Sequence, residues 1–218
     1  LLDELGKKPS ASIPIACGGW SETLAAYRFL GNEKCQWTDI LAPHTECTQT
    51  RMASHPVVLC IQDTTMLDFN GQKIEGLGPL SYEAQRGMFV HPTLAVTPER
   101  LQLGLLDSWM WAREFKDKNG IRPGINESIR WVEGYERVAE RALGLRQTRL
   151  VYVADRESDL LALMQKANAL NFAADLLIRS KHNRLLAKDK EKLWDQAGAT
   201  KPVGQIEFCL PGRKGKPA

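Results

Sequence analysis

Two short apolar segments, each ending in an aspartate, constrain the fold of this chain more than any other feature. Residues 57–62 (Val-Val-Leu-Cys-Ile-Gln) precede Asp63, and residues 150–154 (Leu-Val-Tyr-Val-Ala) precede Asp155. Short runs rich in β-branched residues predict strands that are buried on both faces. A carboxylate in such a run is costly to bury unless it is paired or binds a metal. Two strands that bring carboxylates to one point would form a site for a hard cation such as Mg²⁺.

The alternative is that each aspartate only forms a turn or caps a helix, as aspartates at strand ends often do. That explanation is adequate for one such residue and weaker for two in similar settings. Other aspartates lack a buried run before them or lie in a helical pattern, and we interpret them as structural: Asp68, Asp159 and Asp175.

Composition fits one large domain, or a domain and a half, in a reducing compartment. The chain has 218 residues, 43% of them hydrophobic, and a net charge of +3. No run is long enough to span a membrane. The five cysteines are scattered, with no C-x-x-C pair, which favours neither a zinc site nor a disulfide framework. We expect a cytoplasmic protein. Since the chain begins without Met and ends in a Gly/Pro/Lys-rich stretch, we also expect a segment of a longer protein.

The pattern along the chain predicts a mixed α/β fold. Helices are expected at 21–30 and 38–52, the second interrupted early by Pro43, and a turn at 98–100 joins two apolar strands as an antiparallel pair. The further expected elements, in order, are strands at 87–97 and 101–111, a helix at 127–145 after Asn126, a helix at 159–167 capped by Ser158, a strand at 172–180, a helix at 191–197 and a strand at 203–210.

Three strands followed by helix, strand, helix and strand describe an RNase H-like sheet with flanking helices. In that fold the catalytic acids lie on the first and fourth strands, which are neighbours, and Asp63 and Asp155 follow strands one and four. Within the sheet, His91 is expected to be a hydrogen-bonded core histidine rather than a ligand. Trp109 and Trp111 are expected in the core or at an interface.

Several short motifs resemble those of the DDE transposases of the insertion-sequence-four family, the group that includes the Tn-five transposase. The matching pieces occur in family order: residues 26–32 (Ala-Tyr-Arg-Phe-Leu-Gly-Asn), 61–65 (Ile-Gln-Asp-Thr-Thr), 104–106 (Gly-Leu-Leu) with the nearby tryptophans, 155–159 (Asp-Arg-Glu-Ser-Asp) and 179–182 (Arg-Ser-Lys-His). The resemblance covers nearly the whole chain. The Asp-Thr-Thr motif alone is weak, whereas the last two motifs together are fairly specific.

The resemblance implies a bacterial enzyme that cuts transposon ends from DNA and joins them to a target, as a homodimer in the synaptic complex. It implies two Mg²⁺ ions, replaceable by Mn²⁺, with Asp63 and Asp155 as catalytic metal ligands. Two such ions stabilise both ends of an in-line displacement at phosphorus. Basic residues would contact DNA phosphates, unless they are only solvated surface: Arg28, Arg156, Arg179, Lys181 and His182.

The resemblance also implies a domain organisation. Residues 1–54 would be the end of a helical DNA-binding segment and its connector, 55–184 the first part of the catalytic core, and 185–218 the start of a β-rich insertion. The family's third acid is a Glu in a Tyr-Arg-Glu helix after that insertion, and this sequence contains no such motif. Glu191 and Glu207 come too early to be assigned to that role. We therefore expect this chain to be inactive by itself, even where the complete protein is active.

Three other functions remain open. A phosphatase with an aspartate nucleophile would carry a second acid two residues after Asp63, where this chain has Thr65. An RNase H-like nuclease would cut DNA without requiring terminal repeats or joining strands. An inactive remnant would at most bind DNA.

Overall fold

A computed structural model describes residues 1–186 and 191–207 of the chain. The chain divides into two compact units, Leu1–Arg179 and Ser180–Ala218. None of the described helices is long and apolar enough to cross a membrane.

The first unit begins with four helices. These are α1 (Leu2–Lys7), α2 (Ile13–Cys17), α3 (Trp20–Leu30) and α4 (Trp37–Met52). The predicted helices at 21–30 and 38–52 are thus confirmed, although α4 runs through Pro43 without a break.

A mixed sheet forms the body of this unit. Its strands are β1 (Val57–Gln62), β2 (Thr65–Asp68), β3 (Gly78–Pro79), β4 (Arg86–Val96), β5 (Gln102–Trp111), β6 (Arg149–Ala154) and β7 (Asp175–Ile178). Strand β4 pairs antiparallel with β5 and with β1, while β6 lies parallel to β1 and β7 parallel to β6. Apart from the short β2 and β3, the order β5-β4-β1-β6-β7 is the antiparallel meander followed by two parallel strands of an RNase H-like fold. The predicted fold class is confirmed.

Helix α4 packs closely on β5 where that strand is irregular. Gly104 has a φ of 138°, and a Cβ there would lie 2.2 Å from Thr48 Oγ1, so only glycine fits. The close approach lets the helix bond the strand directly. Arg51 Nε donates to Leu103 O at 2.6 Å, and the amide of Leu105 donates to His44 Nε2 at 2.9 Å.

Two helices cover the sheet and complete the core. Helix α5 (Ile129–Ala142) places Trp131, Tyr135 and Val138 in the core with less than 2% exposure, and α6 (Leu161–Ala169) adds buried residues Leu163 and Ala167. Both helices begin later than predicted. Asn126 accepts from the Ser128 amide in the turn before α5, and Ser158 lies in a 3₁₀ turn (Arg156–Ser158) rather than capping α6.

The second unit contains one described helix, α7 (Leu193–Ala199), close to the helix predicted at 191–197. Within this unit, Trp194 Nε1 donates to Ser180 Oγ at 2.9 Å, and Leu185 pairs with Lys192 as an isolated bridge. The strand predicted at 203–210 is not formed over 203–207, which have no regular structure, and 208–210 lie outside the described residues. The predicted roles of residues 1–54, 55–184 and 185–218 stay predictions.

Candidate active site

The two aspartates singled out in the sequence lie at the same end of neighbouring strands. Strands β1 and β6 are parallel, and their register pairs Gln62 with Ala154. Asp63 directly follows Gln62, and Asp155 directly follows Ala154. The two aspartates therefore come after the same end of the sheet, at matching positions on neighbouring strands. The predicted placement on adjacent parallel strands is confirmed, while their role as metal ligands stays a prediction.

The structure corrects the expectation that these carboxylates are buried. Both side chains are exposed just beyond the strand ends. Asp63 Oδ1 accepts the amide of Thr64 at 2.8 Å, and Asp155 Oδ1 accepts the amide of Glu157 at 2.7 Å. Asp155 therefore caps the 3₁₀ turn that follows it, as the structural alternative predicted for such an aspartate. The second oxygen of each carboxylate accepts no hydrogen bond from the described residues.

These two carboxylates supply the oxygen ligands that a hard cation prefers, but only a few of the ligands that it needs. Mg²⁺ is commonly held by one or two carboxylates and keeps several waters. In the described part of the chain, no group of three His, Cys, Asp or Glu side chains is arranged to hold a metal. Two carboxylates are a donor set that suits one hard cation held largely by water, and metal binding by Asp63 and Asp155 stays a prediction.

A basic residue follows the next strand of the sheet, at the same end as the two aspartates. Strand β7 pairs with β6 so that Ile178 faces Ala154, and the amide of Arg179 donates to Ala154 O at 3.3 Å. Arg179 thus follows β7 at the level where Asp155 follows β6. Arg156 lies exposed in the 3₁₀ turn next to Asp155. The acid-bearing edge, defined as the carboxyl ends of β1, β6 and β7, therefore also carries cationic side chains that can contact a phosphate.

The other three predicted DNA contacts are exposed. Arg28 is exposed in the last turn of α3, and Lys181 and His182 are exposed in the second unit. The aspartates interpreted as structural fit that interpretation at two positions: Asp68 accepts the amide of Asn70 at 2.8 Å, and Asp175 pairs with Arg149.

Beneath the two aspartates lies a network of hydrogen-bonded polar side chains. Of its members, only His91 was identified from the sequence. Gln62 is 2% exposed, and its Nε2 donates to Thr93 Oγ1 at 2.6 Å. Gln62 Oε1 accepts from Tyr152 OH at 2.8 Å and lies 3.1 Å from His91 Nε2. Because an amide oxygen can only accept, His91 Nε2 carries the proton, and His91 Nδ1 accepts from the Thr64 hydroxyl at 2.9 Å.

His91 is a hydrogen-bonded core histidine, as predicted. Its ring meets Trp131 edge-on at 4.4 Å between centroids. Burial, reinforced by the charge of Arg130, lowers the pKa of His91 to about 4. The imidazole is therefore neutral at neutral pH, which the bonding pattern requires.

Arg130, at the start of α5, was not identified from the sequence. It is 7% exposed, and its Nε donates to Thr64 Oγ1 at 3.1 Å. Its Nη2 lies 3.7 Å from Glu157 Oε2 and its guanidinium 4.9 Å from the ring centre of Trp111. Burial lowers the pKa of Arg130, opposed by the charges of Glu127 and Glu157.

A cleft beside Arg130 contains the two tryptophans noted in the sequence. Trp109, Trp111, Arg113 and Glu127 line this space of about 660 Å³. Glu127 Oε1 accepts from Trp111 Nε1 at 3.0 Å and from Arg113 Nε at 2.5 Å. Burial by itself would raise the pKa of Glu127, but these hydrogen bonds outweigh it and the pKa is lowered.

Comparison with known proteins gives a family match at the N-terminus. Residues 1–35 match the model of a family described as transposase DNA-binding. This match supports a transposase with a DNA-binding segment in α1 to α3, and it leaves the particular transposase family open.

Among solved structures the likeness is weak. The Mos1 strand transfer complex has 11% identity and a TM-score of 0.30, over 91% of this chain and 62% of that chain. A pre-cleavage Mos1 transpososome has 9% identity and a TM-score of 0.29, over 91% of this chain and 63% of that chain. This chain thus spans less than two thirds of the structures it matches. Likeness at this level carries no argument, so the fold assignment depends on the strand topology.

Proposed function

We propose that this chain belongs to a DDE transposase of the insertion-sequence-four class. The complete protein cuts transposon ends by metal-dependent phosphodiester hydrolysis and joins them to target DNA. The observation that carries the proposal is the alignment of Asp63 and Asp155 at the carboxyl ends of adjacent parallel strands. The transposase DNA-binding match over residues 1–35 supports DNA as the substrate.

The residues of this edge have complementary roles in the proposal. Asp63 and Asp155 would hold Mg²⁺, or Mn²⁺ in its place, through their carboxylate oxygens. A bound divalent ion would supply an activated oxygen nucleophile and stabilise the leaving oxygen. Arg179 and Arg156 hold the phosphates of the DNA backbone, with Lys181 and His182 as further proposed contacts. The complete protein acts as a homodimer, since the two transposon ends must be brought together before joining.

The test is release of a labelled DNA end that carries the terminal repeats flanking the gene. We expect Mg²⁺-dependent cutting and strand joining by the chain extended with its downstream coding sequence, and neither by the 218-residue chain. Cutting without dependence on the repeats and without joining would favour an RNase H-like nuclease. Binding of DNA without any cutting by the extended protein would favour an inactive remnant.

Efficient cutting by the 218-residue chain would overturn the proposed need for a third acid supplied downstream. In that case the additional ligand would be sought among the carboxylates already present. Glu157 is the first candidate, because its amide already bonds Asp155.

A further inference from the structure

The two candidate metal ligands are fixed by the same arrangement. Asp63 Oδ1 accepts the backbone amide of Thr64, and Asp155 Oδ1 accepts the backbone amide of Glu157. The orientation of each carboxylate therefore depends on the position of the residue that donates to it. Thr64 and Glu157 belong to separate loops after β1 and β6.

One guanidinium engages the side chains of both donor residues. Arg130 Nε donates to Thr64 Oγ1 at 3.1 Å, and Arg130 Nη2 lies 3.7 Å from Glu157 Oε2. Its Nη1 lies 3.8 Å from Glu127 Oε2, which attaches the same group to the turn before α5. A planar guanidinium has fixed donor directions spread over three nitrogens, so it can contact three separate segments at set angles that the compact ammonium group of lysine does not reproduce.

Arg130 is itself held in place. Its side chain is 9% exposed and lies over the Trp111 ring. The Thr64 hydroxyl, which accepts from Arg130, also donates to the neutral ring of His91. His91 in turn is bonded to Gln62, the residue that precedes Asp63. The loop of Asp63 is thereby connected to the core of the sheet through hydrogen bonds.

We propose that Arg130 is a positioning residue that sets the spacing of Asp63 and Asp155, by holding Thr64 and Glu157, the residues whose amides fix the two carboxylates. This inference rests on the proposed metal site, and it assigns to Arg130 no contact with DNA or with the ion. Residues that orient metal ligands in this way affect metal affinity or activity about 10–100-fold when changed.

The first test measures Mn²⁺ binding to the 218-residue chain by the electron paramagnetic resonance signal of the free ion. Thr64→Val replaces the hydroxyl by a methyl group of similar size, while Thr64→Ser keeps the hydroxyl. We expect Thr64→Val to weaken Mn²⁺ binding about tenfold and Thr64→Ser to retain near-native affinity. Arg130→Lys keeps the positive charge but loses the planar set of guanidinium donors. We expect it to weaken Mn²⁺ binding as much as Thr64→Val does.

A matched control lies on the same helix. Arg141 is half-buried and donates to Gln49 Oε1 at 3.1 Å, at the other end of α5. Arg141→Lys tests for a general effect of altering a helix arginine, and it should leave Mn²⁺ affinity unchanged. Circular dichroism of every variant checks that the fold is intact. Where Arg130→Lys fails to fold, the Thr64 pair and the exposed Glu157→Gln still decide the question.

The size of the Glu157→Gln effect separates positioning from ligation. Because Arg130 holds Glu157 through a single contact to an exposed carboxylate, Glu157→Gln should change Mn²⁺ affinity only a few-fold. A loss as large as that of Asp155→Asn would make Glu157 a metal ligand and overturn the inference.

The failure of this inference can be told from failure of the proposed function. Mn²⁺ binding that requires Asp63 and Asp155 but is equal in wild type, Thr64→Val and Arg130→Lys overturns the positioning role alone. Absence of Mn²⁺ binding that depends on either aspartate overturns both. In the extended protein, we expect the Arg130 and Thr64 variants to lower the cutting rate and to raise the Mg²⁺ concentration needed, with unchanged affinity for DNA ends.

Discussion

The acid-bearing edge of the sheet and the N-terminal helices differ in how fully the chain satisfies their side chains. Beneath Asp63 and Asp155, the polar groups of Gln62, His91 and Tyr152 are buried, and all three are hydrogen-bonded within the chain. In α3, by contrast, Trp20 is 79% exposed, and Tyr27 and two neighbouring apolar residues are about half exposed. The strand ends that carry the two acids are thus supported by hydrogen bonds within the chain, whereas helix α3 exposes apolar side chains to solvent.

This difference predicts two kinds of response to mutation. At the edge, exposed acids can be changed without loss of stability, while the buried polar groups below them cannot. In the N-terminal helices, an exposed cation can be changed with little consequence except for a bound partner.

Asp63→Asn and Asp155→Asn in the extended protein should each abolish cutting of labelled ends, a loss of about a thousandfold or more. A divalent ion contributes several kcal/mol to transition-state stabilisation, and each 1.36 kcal/mol is a factor of ten in rate. Because both carboxylates are exposed, stability to urea should change by no more than about 0.5 kcal/mol.

Asp68→Asn is the matched control for this pair. Asp68 is an exposed aspartate at the end of β2 and accepts an amide in the turn that follows, as the two acids do. It should retain full cutting activity. Equal loss in all three variants would show that the site lies elsewhere.

His91 should make stability fall in mild acid. Its pKa in the folded chain is lowered from 6.5 to about 4 by burial and by Arg130, so only the unfolded chain takes up a proton between these values. The stabilisation is therefore complete above about pH 6.5, and it declines as the pH falls towards 4. The total is about 3 kcal/mol, from 1.36 kcal/mol per pKa unit.

Urea unfolding monitored by tryptophan fluorescence between pH 7 and 4 measures this effect. Carboxylates also titrate in this range, so the comparison is with His91→Gln, whose stability should depend less steeply on pH. Identical slopes for the two proteins would contradict a neutral, buried His91.

Gly134→Ala should destabilise the chain by about 1–3 kcal/mol, although alanine normally stabilises a helix by about 1 kcal/mol over glycine. Gly134 lies inside α5, and a Cβ there would lie 2.3 Å from Gln62 Nε2. Gln62 cannot move away without losing its buried hydrogen bonds. Gly198→Ala in α7 has open space around it and should be neutral or stabilising in the same urea experiment. A stabilising Gly134→Ala would mean that the Gln62 side chain is not confined.

The fold was predictable because its signals are local. The runs before Asp63 and Asp155 and the turn at 98–100 gave β1, β6 and the β4–β5 hairpin, and their order along the chain indicated the RNase H-like sheet. Strand β2 (Thr65–Asp68) was missed because all four of its residues are exposed and show no apolar alternation. In α3 the buried residues are Thr23 and Ala26 while Tyr27 and Leu30 are exposed, so apolar character does not mark the buried face of this helix either.

The site was predictable only in its acids. Arg130 is distant from Thr64 and Glu157 in sequence, and a hydrogen bond between distant residues leaves no periodic pattern. Three signals were nevertheless present: Gln62 and Tyr152 are polar groups in otherwise apolar strands, and Gly134 interrupts a helix. Buried polar residues require partners, so these positions indicate a network without identifying its members.

The smallest predicted effect concerns Arg28 in the N-terminal helices. Its side chain is exposed in α3, within the residues that match a transposase DNA-binding family. A single phosphate contact contributes about one unit to the slope of log affinity against log salt concentration. Arg28→Ala should therefore lower that slope by about one, weaken binding a few-fold equally for repeat and unrelated DNA, and leave stability unchanged. Fluorescence anisotropy of labelled duplexes at several salt concentrations measures this. An unchanged slope would remove Arg28 from the DNA contacts, and a loss confined to the repeat sequence would make it a base-reading residue instead.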